Sequence, residues 1–219
     1  TGFTSKMMNA GLATNKGVEL DLKVTPIKTK NFVWNLGINY AHYKSLVNDL
    51  LPGVDELELS GFSNGVGGGI YAIKGLPYPV IKANDWIRDS ATGKVIVDPV
   101  TGMPSVDPTA KIYGQTNPTD ILGITTTLTY KRFTLSAVAD YRAGNYIMNE
   151  LADNLSFEGV SAFSASNGRQ RFIFPNSVVL QNGKYVNNTS VAVDNGSNTG
   201  GAGFWPGSVY GTNVGSPFI

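Results

Sequence analysis

The 219-residue sequence contains no cysteine, which excludes disulfide frameworks, thiol nucleophiles and Cys-ligated zinc. A single histidine, His42, excludes any multi-histidine metal centre. Charge is scarce as well: Asp, Glu, Lys and Arg make up 15% of the residues, where about 25% is usual for soluble domains. The 17 Lys+Arg and 16 Asp+Glu nearly cancel, and a formal charge of +1 gives no basic field for a nucleic acid. Long apolar runs are missing too. No stretch has the roughly 18 to 20 apolar residues of a membrane helix, and the longest uncharged segment, 195–219, is Gly, Asn and Ser with scattered aromatics. Residues 1–10 lack the basic-then-apolar order of a signal peptide, which suits a mature chain or an internal fragment.

Neutral polarity and apolar residues are abundant, with 26 Gly and 42% hydrophobic residues. Soluble surfaces are ordinarily kept apart by Lys, Glu, Asp and Arg. The deficit therefore leaves two readings: a soluble secreted β-sandwich that binds carbohydrate, or a β-barrel whose outer surface meets lipid.

Alternation with period two is the main signal. In VELDLKVT, Val18, Leu20, Leu22 and Val24 share one face, and Glu19, Asp21, Lys23 and Thr25 share the other. In the following run Phe32, Trp34, Leu36, Ile38 and Tyr40 lie together. Leu122, Ile124, Leu128 and Tyr130 repeat the plan, as do Phe133, Leu135, Ala137, Ala139 and Tyr141, with Asp140 and Arg142 opposite. The short connections at 26–30 and at Lys131-Arg132 make antiparallel hairpins. Strands of this length match the roughly 9 to 11 residues that cross a bilayer at a tilt. Aromatics fall near both ends of the apolar faces, as interfacial girdles do.

The expected fold is all-β: an antiparallel transmembrane β-barrel segment of about six long strands with long extracellular loops. The strands are expected near 17–26, 31–46, 69–75, 79–89, 119–130 and 133–146, and the outer loops near 47–68, 90–118 and 147–219, all within one partial barrel domain covering 1–219 without a plug. Residues 69–89 cross twice or not at all. A small hairpin is expected with turns at 90–93 and 98–102, and a short helix around 147–155. No internal repeat is visible.

Few residues suggest chemistry. Gly61 to Gly65 match the G-x-S-x-G spacing around Ser63, but the only histidine precedes the serine and the glycines that follow start no stable helix. Asp55, Glu56 and Glu58, and Asp85 and Asp89, read as solvated loop charges. The sequence thus points to no enzyme, no cofactor and no metal. Aromatics in the long loops are the better candidates for ligand or partner contact: Trp86, Phe172, Phe174, Tyr185, Phe204, Trp205 and Tyr210. Glu19, Asp21, Lys23, Asp140 and Arg142 are expected to face the lumen. His42 is expected at the outer interface.

Five segments in one order carry a resemblance: NKGVEL from Asn15, NFVWNLGINYAHYKSLV from Asn31, KGLPYPVIKANDWIRDSATG from Lys74, YGQTNPTDILGITTTLTYKRFTLSAVADYRAGN from Tyr113, and RQRFIFPNSVVLQNGKYVNN from Arg169. In these the chain resembles the SusC/RagA branch of TonB-dependent outer-membrane transporters of Bacteroidetes-type bacteria. The resemblance implies a 22-stranded, plugged barrel in the bacterial outer membrane that imports oligosaccharides or peptides. It also implies a SusD-like surface lipoprotein as a lid, and energy from TonB-ExbB-ExbD through an N-terminal part that this sequence does not contain. Open strand edges are costly in hydrocarbon, so the resemblance makes these residues a segment of a larger barrel.

Overall fold

The computed structural model describes residues 11–62, 67–162, 165 and 171–193. The chain divides into two compact units: residues 1–58, 71–80 and 114–146 in the first, and 59–70, 81–113 and 147–219 in the second.

The first unit is built on a four-stranded antiparallel sheet in the order β1-β2-β8-β9. β1 is Leu12–Lys28, β2 Phe32–Asp49, β8 Asp120–Tyr130 and β9 Phe133–Ala143. Each is long enough to cross a bilayer. The β1–β2 turn is closed by Thr29, whose backbone N–H donates to the Phe32 carbonyl at 2.7 Å while its Oγ1 accepts from the Phe32 N–H at 3.0 Å. Lys131 turns the β8–β9 hairpin at φ 53°, a left-handed conformation that costs a Lys more than a Gly or Asn. Its N–H donates to the Asn31 carbonyl at 2.8 Å, so the two turns are tied side by side.

Pairing runs without a slip from Phe32↔Tyr130 to His42↔Asp120 and from Tyr130↔Phe133 to Asp120↔Ala143. A one-residue slip would exchange the faces of a whole strand, so this register is what gives the sheet two chemically distinct sides.

Smaller strands complete the β content: β3 Glu56–Gly61, β4 Gly68–Ile73, β5 Val80–Ala83 and β7 Lys111–Gln115 form a sheet in the order β3-β4-β5-β7. This corrects two expectations. β4 and β5 have six and four residues, too short to span, so four rather than six of the expected strands are long. Pro77 and Pro79 separate them, and neither can donate to a ladder. The segment 47–68, and 90–118 beyond its expected hairpin, also contain strands where loop was expected, because strands of five or six residues are too short for alternation to register.

In the second unit, residues 86–106 fold back and forth through bridges Trp86↔Val106, Arg88↔Val95 and Val97↔Pro104. The central arm, β6 (Val95–Val97), pairs parallel with β10 (Ser177–Gln181), which pairs with β11 (Lys184–Asn187). Asn182-Gly183 makes the β10–β11 turn with φ 49° and 78°, the positive pair a tight hairpin requires. Trp86, Val95, Val97, Phe174, Val179 and Val193 form the core of this unit. The helix, α1, is Glu150–Phe157; the Asn149 side chain accepts from the Ala152 N–H at 3.1 Å and starts it three residues later than the apolar spacing suggested.

Candidate functional site

The register of the four-stranded sheet brings the apolar residues of all four strands into continuous rows. Leu20, Tyr40, Leu122 and Tyr141 form one row, Leu22, Ile38, Ile124 and Ala139 the next, and Val24, Leu36, Thr126 and Ala137 a third. Trp34, Leu128 and Leu135 follow, and Phe32, Tyr130 and Phe133 finish the band beside the turns. This face is exposed: Phe133 is 80% accessible and Leu135 66%. Within the band, Thr126 Oγ1 accepts from the Trp34 indole Nε1 at 2.9 Å. At the end away from the turns the band closes on Asp120, which accepts from the Tyr40 hydroxyl at 2.6 Å and from Thr119 at 2.8 Å, and lies 2.9 Å from His42 Nδ1. His42 therefore sits at the far boundary of the band.

The opposite face collects the expected lumen residues. Glu19 is opposite Ala41, and Asp21, Asn39, Gly123 and Asp140 form one row. Lys23 joins Asp21 at 3.0 Å, Arg142 joins Asp140 at 2.8 Å, and the Tyr43 hydroxyl donates to Glu19 at 2.6 Å. Hydroxyl pairs continue the polar character: Thr127 with Ser136 at 3.2 Å and Thr129 with Thr134 at 3.4 Å. Two hollows open on the first unit. One of about 310 Å³ is lined by Lys23, Thr25, Asn35, Gly37, Thr125 and Thr127 among others; one of about 300 Å³ includes Asn15, Tyr43, Gln115, Asn117 and Arg142. Hydroxyls, amides and paired charges make both suited to polar, hydrogen-bonding solutes.

In the second unit, the loop unit, Asp85, Asp89 and Asp98 are each tied into a local network. Asp85 accepts from Arg88 Nε and Lys111 Nζ, each at 3.0 Å, and from the Trp86 N–H at 2.7 Å. Asp89 and Asp98 do the same thing twice. Each accepts from the backbone N–H groups two and three residues on and from the hydroxyl of the Thr three residues on. The glycine after each threonine adopts positive φ, 71° at Gly93 and 66° at Gly102. The sequence thus holds a short repeat, D-x-x-T-G at 89–93 and 98–102, too brief to stand out against longer periods. These hydrogen bonds, led by the Thr92 hydroxyl at Asp89 and the Thr101 N–H at Asp98, hold both carboxyls below the usual range. Asp153 is the reverse case, 3% exposed, with Oδ1 lacking a partner among the described residues; burial and then nearby Glu150 push its carboxyl up.

The aromatic candidates separate. Trp86 and Phe174 are 6% and 3% exposed and meet edge to face at 5.1 Å, so each ring's surface is taken up by the core. Phe172 packs against the same cluster. Tyr185 on β11 is 45% exposed. Phe204, Trp205 and Tyr210, like Ser63, lie outside the described residues.

No family model matches the sequence. Among curated proteins, the chain is 28% identical over 166 residues to the TonB-dependent receptor P26 of Formosa agariphila, covering 68% of this chain and 17% of the receptor. Among solved structures it matches a chain of the RagAB peptide transporter with a TM-score of 0.52 and 16% identity, over 74% of this chain and 18% of that one. The resemblance to SusC/RagA-type TonB-dependent transporters is borne out. The structural match speaks for the fold, and the receptor match for the sequence. In both, this chain spans less than a fifth of its relative's length. No helix among the described residues is long and apolar enough to cross a membrane.

Proposed function

We propose that this chain supplies wall and outer loops to an outer-membrane β-barrel that imports nutrients with TonB-derived energy. The observation that carries the reading is the pair of faces on the β1-β2-β8-β9 sheet: one is a continuous, exposed apolar band with aromatics at both ends, the other a polar face of paired charges and hydroxyls. A soluble sandwich would cover the apolar face with a second sheet. In a barrel lipid covers it, and strands from the rest of the polypeptide close the edges at β1 and β9. Glu19, Asp21, Lys23, Asp140 and Arg142 then line the lumen or meet a plug.

The strand ends away from the short turns face the extracellular side, since outer-membrane barrels keep short turns in the periplasm. The cargo is an oligosaccharide or a peptide. A peptide is favoured by the partial likeness in fold to the RagAB peptide transporter. A SusD-like lipoprotein is the partner on the outer face, and TonB-ExbB-ExbD acts through another part of the whole protein. The chemistry needed is binding and passage, with no bond made or broken.

The test is fractionation of the full-length gene product. It should sediment with outer membranes, resist carbonate extraction and enter solution only with detergent. Recovery as a folded protein in the soluble fraction would overturn the reading.

A further inference from the structure

We propose that the turn end of the β1-β2-β8-β9 sheet is a docking surface for the phosphate headgroups of anionic phospholipid, with Lys28, Lys30, Lys131 and Arg132 as its cations. This rests on the barrel reading and adds to it a named lipid chemistry at one rim. All four side chains are exposed. Lys30, Lys131 and Arg132 occupy two turns that the Lys131 N–H bond to the Asn31 carbonyl holds together, and Lys28 ends β1 beside them, paired with Val33. No carboxylate offsets them in sequence: there is no Asp or Glu from residue 22 to 48, nor from 121 to 139. The far end of the same strands has the opposite design, mixing Glu19, Asp21, Asp120 and Asp140 with Lys16, Lys44 and Arg142. The charge asymmetry therefore runs along the strand axis.

The second observation is what lies beside the cations. Phe32, Tyr130 and Phe133 are cross-strand neighbours that finish the apolar band, and the Lys131 ammonium stands 5.3 Å from the Tyr130 ring centre. Aromatic rings at the acyl boundary with cations one residue beyond them match the layering of a phospholipid leaflet, acyl chains first and phosphates next. Long Lys and Arg stems let the charges reach outward while the methylenes stay over the rings. A negatively charged leaflet attracts each basic residue near its surface, so four at one end of the sheet make a site with a strong preference for charge.

The test uses the full-length receptor in detergent micelles, with native mass spectrometry counting retained phosphatidylglycerol against phosphatidylcholine. The comparison variant is Lys28→Gln, Lys30→Gln, Lys131→Asn and Arg132→Gln; Asn at 131 keeps a residue that tolerates the left-handed turn. The expected result is a preference for phosphatidylglycerol that falls roughly tenfold or more in the variant and weakens with added salt. Equal retention of both lipids, or an unchanged preference in the variant, overturns the proposal. Inorganic phosphate is added as a competitor: displacement of phosphatidylglycerol at millimolar phosphate would mean a site for the free anion and also overturn it. A parallel label at Leu135→Cys, in vesicles with brominated acyl chains, separates the two layers of argument. Quenching there with no headgroup preference leaves the barrel reading standing and rejects only the docking surface; absence of quenching rejects the barrel reading itself.

Discussion

Two neighbouring residues on β9, Ala137 and Val138, give the sharpest test of the sheet's two faces. Ala137 is in the middle of the apolar band, paired with Thr126; Val138 is on the polar face, paired with Thr125. The band on β9 runs from Phe133 to Tyr141, about 27 Å along the strand at 3.4 Å per residue, or about 20 Å along the bilayer normal at a 40° tilt. Ala137 would then lie about 10 Å from either girdle. Arginine on the lipid face costs about 2–4 kcal/mol at the midplane and about 0–1 kcal/mol near the interfaces. Ala137→Arg should therefore lower the folding equilibrium by about 30- to 700-fold, Leu135→Arg by less, and Phe133→Arg by about fivefold at most. Val138→Arg, one residue away, should stay within about 0.5 kcal/mol, as exposed substitutions in water do. The assay is urea-dependent folding of the full-length protein into vesicles, followed by heat-modifiable migration. Equal responses at 137 and 138 would refute the assignment of the faces, because water on both sides treats adjacent exposed residues alike.

Four further outcomes concern the loop unit. Asp98→Ala should destabilise the 86–106 hairpin by about 1 kcal/mol, read as faster amide exchange at Val100 and Thr101. Because the folded Asp89 and Asp98 carboxyls titrate below the unfolded value of about 4, their contribution is complete above that pH and is lost as pH falls through the depressed range; hairpin protection at pH 3 should be weaker than at pH 6. Asp153→Asn should stabilise α1 at neutral pH, since the folded carboxyl is raised and its favourable protonated form is lost as pH rises; the gain, seen as slower proteolysis, should vanish below about pH 4. Trp86→Ala should cost about 3–5 kcal/mol in the loop unit and leave the β8–β9 hairpin's exchange protection unchanged.

The long strands were legible in the sequence because each face meets a different environment, and the difference is written at every second residue. Val18 to Val24 and Phe133 to Tyr141 show it most plainly. β6 was legible as the arm between the turns expected at 90–93 and 98–102, but its parallel pairing with β10 was not, for a physical reason. The valines are buried and pair across some 80 residues of intervening chain, so neither periodicity nor the local turns expose that contact. The β10–β11 hairpin does carry a readable signal in Asn182-Gly183, inside a segment whose composition otherwise reads as irregular. For the site, the polar row from Glu19 to Arg142 followed from alternation alone. Trp86 and Phe174 did not: a loop aromatic that packs inward carries the same letter as one that faces a ligand, and only the Val95, Val97 and Val179 neighbours distinguish them.

The twin Asp-x-x-Thr-Gly turns suggest how such a loop changes size. Each turn satisfies its own amides, so it needs no help from the arms it joins, and the two lie nine residues apart with one arm between them. Adding or deleting a pair of these units would lengthen or shorten the ribbon by whole reversals while returning the chain to the same place and heading. A loop built this way can vary in discrete steps without asking the β1-β2-β8-β9 strands to move.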